Sequence, residues 1–313
     1  MKTMNKTLRK SSSAGRVFRR MCGDWEVYLM ALPVIAFYLI FCYYPMYGAL
    51  IAFQDYIPGN GFIAGPWVGL KHFIDFIQSA DFWRLLRNTL SISIASLVVG
   101  FPAPIILALL INEIRQNKYK RVVQSITYIP HFISLVVVCG MIKDFVGNEG
   151  IITNMFAGLR GTDADMLTDP KLFMPIHVIS GIWQEVGWGS IIYLSALSGV
   201  DPTLYEAAQI DGAGKWKQLL NVTIPGILPT IVIMLVMKIG GLLSVGYEKI
   251  ILLYNPLIYE TADVISAYVY RMGFEGQQWS YTSAIGIFNS VINFTLIILA
   301  NQVSKKLTET SLW

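Results

Sequence analysis

Charge is what this sequence has least of. Only 14% of its 313 residues are Asp, Glu, Lys or Arg, whereas 54% are hydrophobic. A soluble domain usually carries about 25% charged residues. The low charged fraction therefore excludes an ordinary soluble domain and indicates an integral membrane protein.

Cysteine and histidine are also scarce, with three residues of each. Cys22, Cys42 and Cys139 are odd in number and two of them lie in apolar segments, so no disulfide framework is predicted. The chain has no H-E-x-x-H and no G-x-S-x-G motif, so metalloprotease and hydrolase mechanisms lack their parts. We predict no catalytic set, metal site or cofactor, and we expect that the chain is not an enzyme.

The string Gly212-Ala213-Gly214-Lys215-Trp216 contains only part of a phosphate-binding loop. A Walker A motif requires glycine at position 209 and serine or threonine at position 216, where this chain has Gln209 and Trp216. ATP binding by that route is not expected. Any energy from ATP then has to come from a separate subunit.

Long apolar segments are abundant. A hydrocarbon core about 30 Å thick needs about 20 residues per helix, and lipid offers the backbone of such segments no other hydrogen-bonding solution. The predicted spans are residues 27–53, 88–111, 122–142, 172–197, 224–247 and 281–303. The fold class is therefore all-α, a polytopic membrane protein with six transmembrane helices.

The segment 56–87, before the second span, ends in an amphipathic run. Its apolar residues fall near helical spacing and predict a helix that lies at the membrane interface or packs against the bundle. Packing is the favoured interpretation. The apolar residues are Phe73, Phe76, Ile77, Phe82, Trp83 and Leu86.

Basic residues are more frequent in the segments on one side of the membrane than in those on the other. If the amino end is inside, the inner segments contain fifteen Lys and Arg and the outer segments contain eight. This bias predicts that both termini are cytoplasmic. The chain then divides into a basic cytoplasmic arm (1–26), a six-helix domain (27–304) and a cytoplasmic tail (305–313).

The segment 201–229, between the fourth and fifth spans, is predicted to be a docking site for another protein, and we call it the docking segment. Asp201 and Pro202 predict a helix start, with an N-cap and proline at the first position. Gly212 and Gly214 predict its end in left-handed geometry. A second short amphipathic helix is predicted at 216–222, before Pro225 opens the next span.

The residues of this segment also match a known sequence pattern. Glu206-Ala207-Ala208, Gly212 and Pro225 follow the pattern E-A-A-x3-G-x9-I-x-L-P, with Val222 and Ile224 in place of Ile and Leu. The segment resembles the EAA loop of binding-protein-dependent ABC importer permeases, and EAAQIDGAGKW is similar to the carbohydrate branch. Weaker strings extend the resemblance over nearly the whole chain.

The resemblance implies a type I importer with a MetI-like permease fold, in a bacterial cell membrane. It also implies coupling helices that insert into an ATPase subunit. The implied coupling residues are Glu206, Ala207, Ala208, Asp211, Gly212 and Ala213. The implied partners are a second permease, usually a different chain, two cytoplasmic ATPase subunits, an extracytoplasmic solute-binding lipoprotein, membrane lipid and a carbohydrate substrate, with no nucleic acid.

Two charges lie within spans, Glu185 and Lys238. A lone charge there costs at least about 2.5–3.5 kcal/mol, so each should face a partner or water. We expect a wet translocation path, in which tryptophans stack on sugar rings and polar groups accept hydroxyl hydrogen bonds. The candidate path residues are Trp183, Gln184, Glu185, Trp188 and Lys238. The alternatives are an inter-helix tie for Glu185 and snorkelling for Lys238, and His131 is interpreted as a packing histidine.

Other functions stay open at this point. An ion-coupled secondary transporter would need paired intramembrane acids, and only Glu185 is available. A membrane enzyme would need a clustered catalytic set, and an assembly scaffold would leave both intramembrane charges unexplained. An ABC permease for a non-sugar solute is a further alternative.

Overall fold

A computed structural model of the chain describes residues 25–61, 65–161, 164–308 and 311–312. Within these ranges every regular element is helical, and the only β contact is an isolated antiparallel bridge between Gln54 and Trp67. The all-α prediction is confirmed. Residues 1–24 of the predicted basic arm lie outside the described residues, and so does part of the predicted tail.

Thirteen helices are numbered here in chain order over the described residues, with their π and 3-10 turns included. They are α1 (Trp25–Phe53), α2 (Lys71–Gln78), α3 (Phe82–Asn112), α4 (Asn117–Phe132), α5 (Leu135–Val146), α6 (Ile151–Arg160), α7 (Phe173–Ser198), α8 (Pro202–Ile210), α9 (Lys215–Gly240), α10 (Tyr247–Leu253), α11 (Tyr259–Ala262), α12 (Ile265–Tyr270) and α13 (Trp279–Thr308).

Four of these helices, α1, α3, α9 and α13, are long and apolar enough to cross a membrane. The α4 segment and the segment after it count as a fifth crossing only if the bent pair is one span. Helix α7 has 26 residues but is not among the apolar helices, and it carries His177, Gln184 and Glu185. Each of the six predicted spans overlaps one of these six segments.

The third span is not the single straight helix that the sequence predicts. The chain bends by 97° between α4 and the segment that begins with α5. Pro130 lies in a 3-10 turn, and Ile133 then takes an extended conformation (φ −79°, ψ 132°). Because proline has no N–H to donate, the helix ends there easily. The prediction missed this break because the run of apolar residues continues through it.

The docking segment also differs from its prediction. Residues 216–222 do not form a separate short helix but belong to α9, which continues through a π turn at Leu219–Thr223. In that turn Ile224 N–H donates to the carbonyl of Leu219, five residues back. The hydrogen-bond register has thus already shifted when the chain reaches Pro225, so the missing N–H does not end the helix.

The amphipathic run before the second span packs against the bundle, as the favoured interpretation expected. It forms α2 and the first turns of α3. Phe76, Phe82 and Leu85 are buried there in one cluster with residues of α12 and α13. The partners in that cluster are Ile265, Tyr268 and Ile285.

A buried ion cluster ties the segment between α9 and α13 to the start of α3. The Asp263 side chain is fully buried, and its Oδ2 lies 2.7 Å from Nη2 of Arg271 and 3.4 Å from Nη2 of Arg84. Asn88 Nδ2 donates to the backbone carbonyls of Asp263 and Glu260, at 3.0 and 2.8 Å. Since an unpaired buried charge is strongly destabilising, the two arginines keep this segment against α3.

Helices α4 and α7 cross at Gly187. A Cβ atom built on Gly187 would collide with the backbone carbonyl of Thr127 on α4. Small residues at such crossings let two helix backbones approach closely in a membrane protein. Glycine is therefore required at this position by packing, with no special backbone angle involved.

We expect Gly187→Ala to destabilise the protein by about 1–3 kcal/mol, because the added methyl overpacks the crossing. Gly286→Ala is the matched control, since Gly286 lies in α13 with no atom within 4 Å of the new Cβ. Thermal unfolding in detergent, followed by size-exclusion chromatography, measures both. Equal stability of the two variants would contradict the proposed close packing.

Candidate functional site

A cavity of about 650 Å³ lies between α3, α7 and α9 and reaches α10. Helix α7 supplies much of its wall, from His177 to Tyr193. The wall mixes apolar and polar groups, which is what a binding site for a polar organic solute requires. Its polar lining residues include Ser93, Ser96, His177, Gln184, Glu185, Lys238, Ser244 and Lys249.

Glu185 is held at the edge of this cavity by the broken helix. Its Oε2 lies 3.0 Å from Nδ1 of His131, and the His131 ring stacks on Trp188 with centroids 4.5 Å apart and planes 3° apart. Glu185 therefore has features of both interpretations, a residue that lines the path and a tie between helices. The carboxylate ties α7 to α4, and 58% of its side chain stays exposed.

Four of the five predicted path residues come together in the cavity wall, namely Gln184, Glu185, Trp188 and Lys238. Gln184 is buried, and its Nε2 donates to the carbonyl of Ile133, 3.5 Å away at the helix break. Trp183 is not among the lining residues. Because successive helical residues are 100° apart, Trp183 points away from the face that carries Glu185.

Lys249 was missed by sequence reasoning, which counted it as one basic residue of an outer loop. The structure buries it in α10, where its Nζ donates to the backbone carbonyl of His177 at 3.0 Å and lines the cavity. Burial lowers the pKa of Lys249 to about 8, and the charge of Glu185 acts in the opposite direction. No periodicity or motif around residue 249 signals this position, because the fold brings α10 back against α7.

The docking segment begins as its sequence predicts. Asp201 caps α8, with its carboxylate accepting a hydrogen bond from Thr203 N–H at 2.9 Å, and this bond lowers the pKa of Asp201. At the other end Gly212 takes the left-handed conformation (φ +72°). Gly214 does not, contrary to the prediction. It is extended (φ −70°, ψ 170°) and precedes α9.

The loop between α8 and α9 is held by its own hydrogen bonds. Ala213 N–H donates to the carbonyl of Ala208 at 2.8 Å, and Gln218 Nε2 donates to the carbonyl of Ala213 at 2.8 Å. The hydroxyl groups of Tyr205 and Thr223 lie 3.0 Å apart. The two helices and their joint are therefore one structural unit.

The outer surface of this unit is unusually apolar. Leu204 is 51%, Ile210 87% and Trp216 76% exposed. Exposed apolar patches on soluble surfaces mark sites of protein interaction. The predicted coupling residues lie on the same unit. Glu206, Ala207, Asp211 and Gly212 are exposed, and Ala208 and Ala213 are half-buried.

A polytopic helical membrane protein with a polar-lined cavity between its long helices has the architecture of a transport permease. The chain matches the family described as "Binding-protein-dependent transport system inner membrane component" over residues 100–309. It belongs to this family. It is an integral membrane transport component rather than an enzyme.

Two relatives from Bacillus subtilis (strain 168) are similar over nearly their full length. Protein LplB is 42% identical over 291 residues, 93% of this chain and 92% of that protein. The polygalacturonan/rhamnogalacturonan transport system permease protein YteP is 40% identical over 307 residues, 97% and 95% of the two chains.

A solved structure is similar in both fold and sequence. It is the crystal structure of a bacterial ABC transporter involved in the import of the acidic polysaccharide alginate, and one of its chains is 44% identical with a TM-score of 0.86. The match covers 94% of this chain and 99% of that chain. The fold is the MetI-like permease fold of ABC importers.

The two tryptophans of α7 provide a matched test of the cavity. We expect Trp188→Ala to lower uptake by the assembled importer about fivefold or more, because it removes an aromatic wall and the stack on His131. Trp183→Ala should leave uptake near wild type, although both side chains are similarly exposed, at 46% and 44%. Uptake at equal membrane abundance is the measurement, and equal losses in the two variants would contradict the assignment.

Proposed function

We propose that this chain forms one half of the translocation pathway of an ATP-driven importer for oligo- or polysaccharides. The observation that carries the proposal is that α7 joins the two working parts of the molecule. Its side chains line the cavity, and its carboxyl end leads within a few residues into the apolar docking segment. A movement imposed on the docking segment is thus transmitted to the cavity wall by one helix.

The substrate class is supported by the names of the relatives and by the chemistry of the cavity. YteP is named for polygalacturonan and rhamnogalacturonan, and AraP of Bacillus subtilis, 27% identical, for arabinooligosaccharides. In this chain Trp188 offers an aromatic face, and Gln184 and Glu185 offer hydrogen-bonding groups beside it. Aromatic faces combined with amide and carboxylate groups suit a polyhydroxylated ligand.

The partners in this proposal are a second permease, two cytoplasmic ATPase subunits and an extracytoplasmic binding lipoprotein. A related alginate transporter has been solved in complex with an alginate pentasaccharide-bound periplasmic protein. One chain carries one docking segment, so two ATPase sites require a second permease. The exposed side chains of Leu204, Ile210 and Trp216 are the apolar surface that an ATPase groove would cover.

The mechanism we propose is alternating access. Closure of the ATPase pair on ATP moves α8 and the start of α9 as one unit, because their internal hydrogen bonds join them. Helices α7 and α9 convey this motion to the cavity, which opens in turn to the loaded binding protein and to the cytoplasm. Glu206, Ala207, Ala208, Asp211, Gly212 and Ala213 are the coupling residues of this step.

The proposal includes an orientation, with both termini and the docking segment in the cytoplasm of a bacterial cell. The excess of Lys and Arg on that side supports it. In the described ranges α8 lies at the end of the bundle reached by the carboxyl end of α7. The loop of Asp263 and Arg271 follows the carboxyl end of α9 instead.

The two glycines of the joint give a matched test of coupling. We expect Gly212→Val to uncouple ATP hydrolysis from uptake, because φ +72° strains a β-branched residue by about 1–3 kcal/mol. Gly214→Val should couple normally, since its backbone is in the ordinary extended region. Neither glycine has an atom within 4 Å of an added Cβ, so sterics do not separate the two variants.

The measurement is ATP hydrolysis and solute uptake by the assembled importer in proteoliposomes. Uptake per ATP should fall in the Gly212 variant and stay unchanged in the Gly214 variant. Wild-type coupling in both variants would refute the proposed role of the joint.

Two exposed positions test the orientation. With Cys22, Cys42 and Cys139 replaced by alanine, we expect Leu257→Cys to react with a membrane-impermeant maleimide in intact cells or spheroplasts. When the chain is expressed without the ATPase subunits that would cover this surface, Ile210→Cys should react only in inside-out vesicles. The parent side chains are 74% and 87% exposed, so access is comparable. Labelling of position 210 from outside would rule out an ATPase docking site there.

A further inference from the structure

The cavity holds a buried cation without a counter-charge beside it. Lys249 is 8% exposed, and within the described parts of the chain its Nζ makes one hydrogen bond, to the backbone carbonyl of His177. No carboxylate lies within 4.0 Å of it among the described parts of the chain. Burying an ammonium group without a partner is costly, so a position of this kind calls for an explanation.

A structural role explains only part of this arrangement. The bond to the carbonyl of His177 ties α10 to α7, but it uses one of the three donors of the ammonium group. A neutral side chain with a single donor would make the same tie without the cost of a charge. The other two donors of Lys249 have no hydrogen-bond partner among the described residues, and Lys249 lines the cavity.

A second ammonium group lines the same cavity. Lys238 projects from α9, is exposed, and has no ion pair within the ranges that the structure covers. The one carboxylate of the lining belongs to Glu185, which is engaged by His131 at the edge. The lining of the cavity therefore has an excess of positive charge, which favours an anionic ligand.

We infer that Lys249 and Lys238 form a carboxylate-binding pair that makes this cavity selective for acidic saccharides, in which the sugar units are uronates. The inference rests on the proposed function and specifies its substrate class. Lysine ammonium groups bind carboxylates as charge-assisted hydrogen-bond donors. The aromatic face of Trp188 in the same wall contacts the sugar ring.

The setting of Lys249 suits a reversible contact. Its charged form is disfavoured by burial, and a bound carboxylate favours that form. Substrate binding thus relieves a desolvation cost that is already present. Release restores it, so the site does not need to hold its ligand tightly.

The test compares charged and neutral forms of the same sugars. Oligogalacturonates and alginate oligosaccharides are supplied to the complete importer as free acids and as methyl esters, with neutral arabinooligosaccharides as a fifth probe. The variants are Lys249→Gln and Lys238→Gln. Lys171→Gln is the matched control, because Lys171 is exposed and lies outside the cavity lining.

We expect wild type to take up at least one free acid in preference to its ester. Each cavity variant should raise the KM for that acid about tenfold or more, the size of a lost charged hydrogen bond. In the cavity variants, uptake of a neutral probe should change by no more than about twofold. In the Lys171→Gln variant, neither the KM for the acid nor uptake of the neutral probe should change by more than about twofold. Membrane abundance and binding of the ATPase subunits show whether each variant is folded.

Preference of the wild type for esters or arabinooligosaccharides would overturn the inference and leave the proposed function standing. The same holds if the cavity variants impair acids and neutral probes equally. Uptake of none of the five probes would overturn the proposed function itself. If the Lys249→Gln variant does not accumulate in the membrane, the Lys238→Gln variant decides the test, because Lys238 is exposed and its replacement does not disturb a packed core.

Discussion

The close crossing of α7 and α4, where Gly187 meets the carbonyl of Thr127, is the contact on which the cavity depends. It brings Glu185 and Trp188 within reach of His131, one turn beyond Thr127, and so fixes the end of α4 to α7. The chain then bends away by 97°. Helix α5, which follows the bend, packs against α10, the helix that carries Lys249. The missing side chain of Gly187 thus lets α4 pack closely against α7, the helix that supplies much of the cavity wall.

Charge is rare in this protein, and three of its charged groups are paired in different ways. Asp263 is neutralised by two arginines, and the cluster serves to hold a loop in place. Glu185 has a histidine partner but remains half open to the cavity. In the described ranges the one hydrogen-bond partner of Lys249 is a backbone carbonyl. A low dielectric magnifies both attraction and desolvation cost. The pairing within the protein is therefore most complete at Asp263 and least complete at Lys249.

The docking segment shows how much local chemistry alone specifies. Asp201, Pro202 and Gly212 lie where capping and turn rules put them, and the helix between them has the predicted ends. The prediction is wrong for Gly214 and the residues after it, because Pro225 does not start a new helix: a π turn lets α9 run through it. Rules for single residues hold at helix ends, and they fail where the hydrogen-bond register changes inside a helix.

The sequence by itself determined that the protein is helical and membrane-embedded, where its apolar segments lie, and where the capped helix α8 begins and ends. These properties depend on composition and on residues close together in the chain. Only the tertiary structure decided that the third span breaks after Pro130, that Trp188 and not Trp183 faces the cavity, and that Lys249 is buried against α7. Each of these depends on contacts between residues far apart in sequence, and the residues around a position carry no signal of the partner that the fold brings to it.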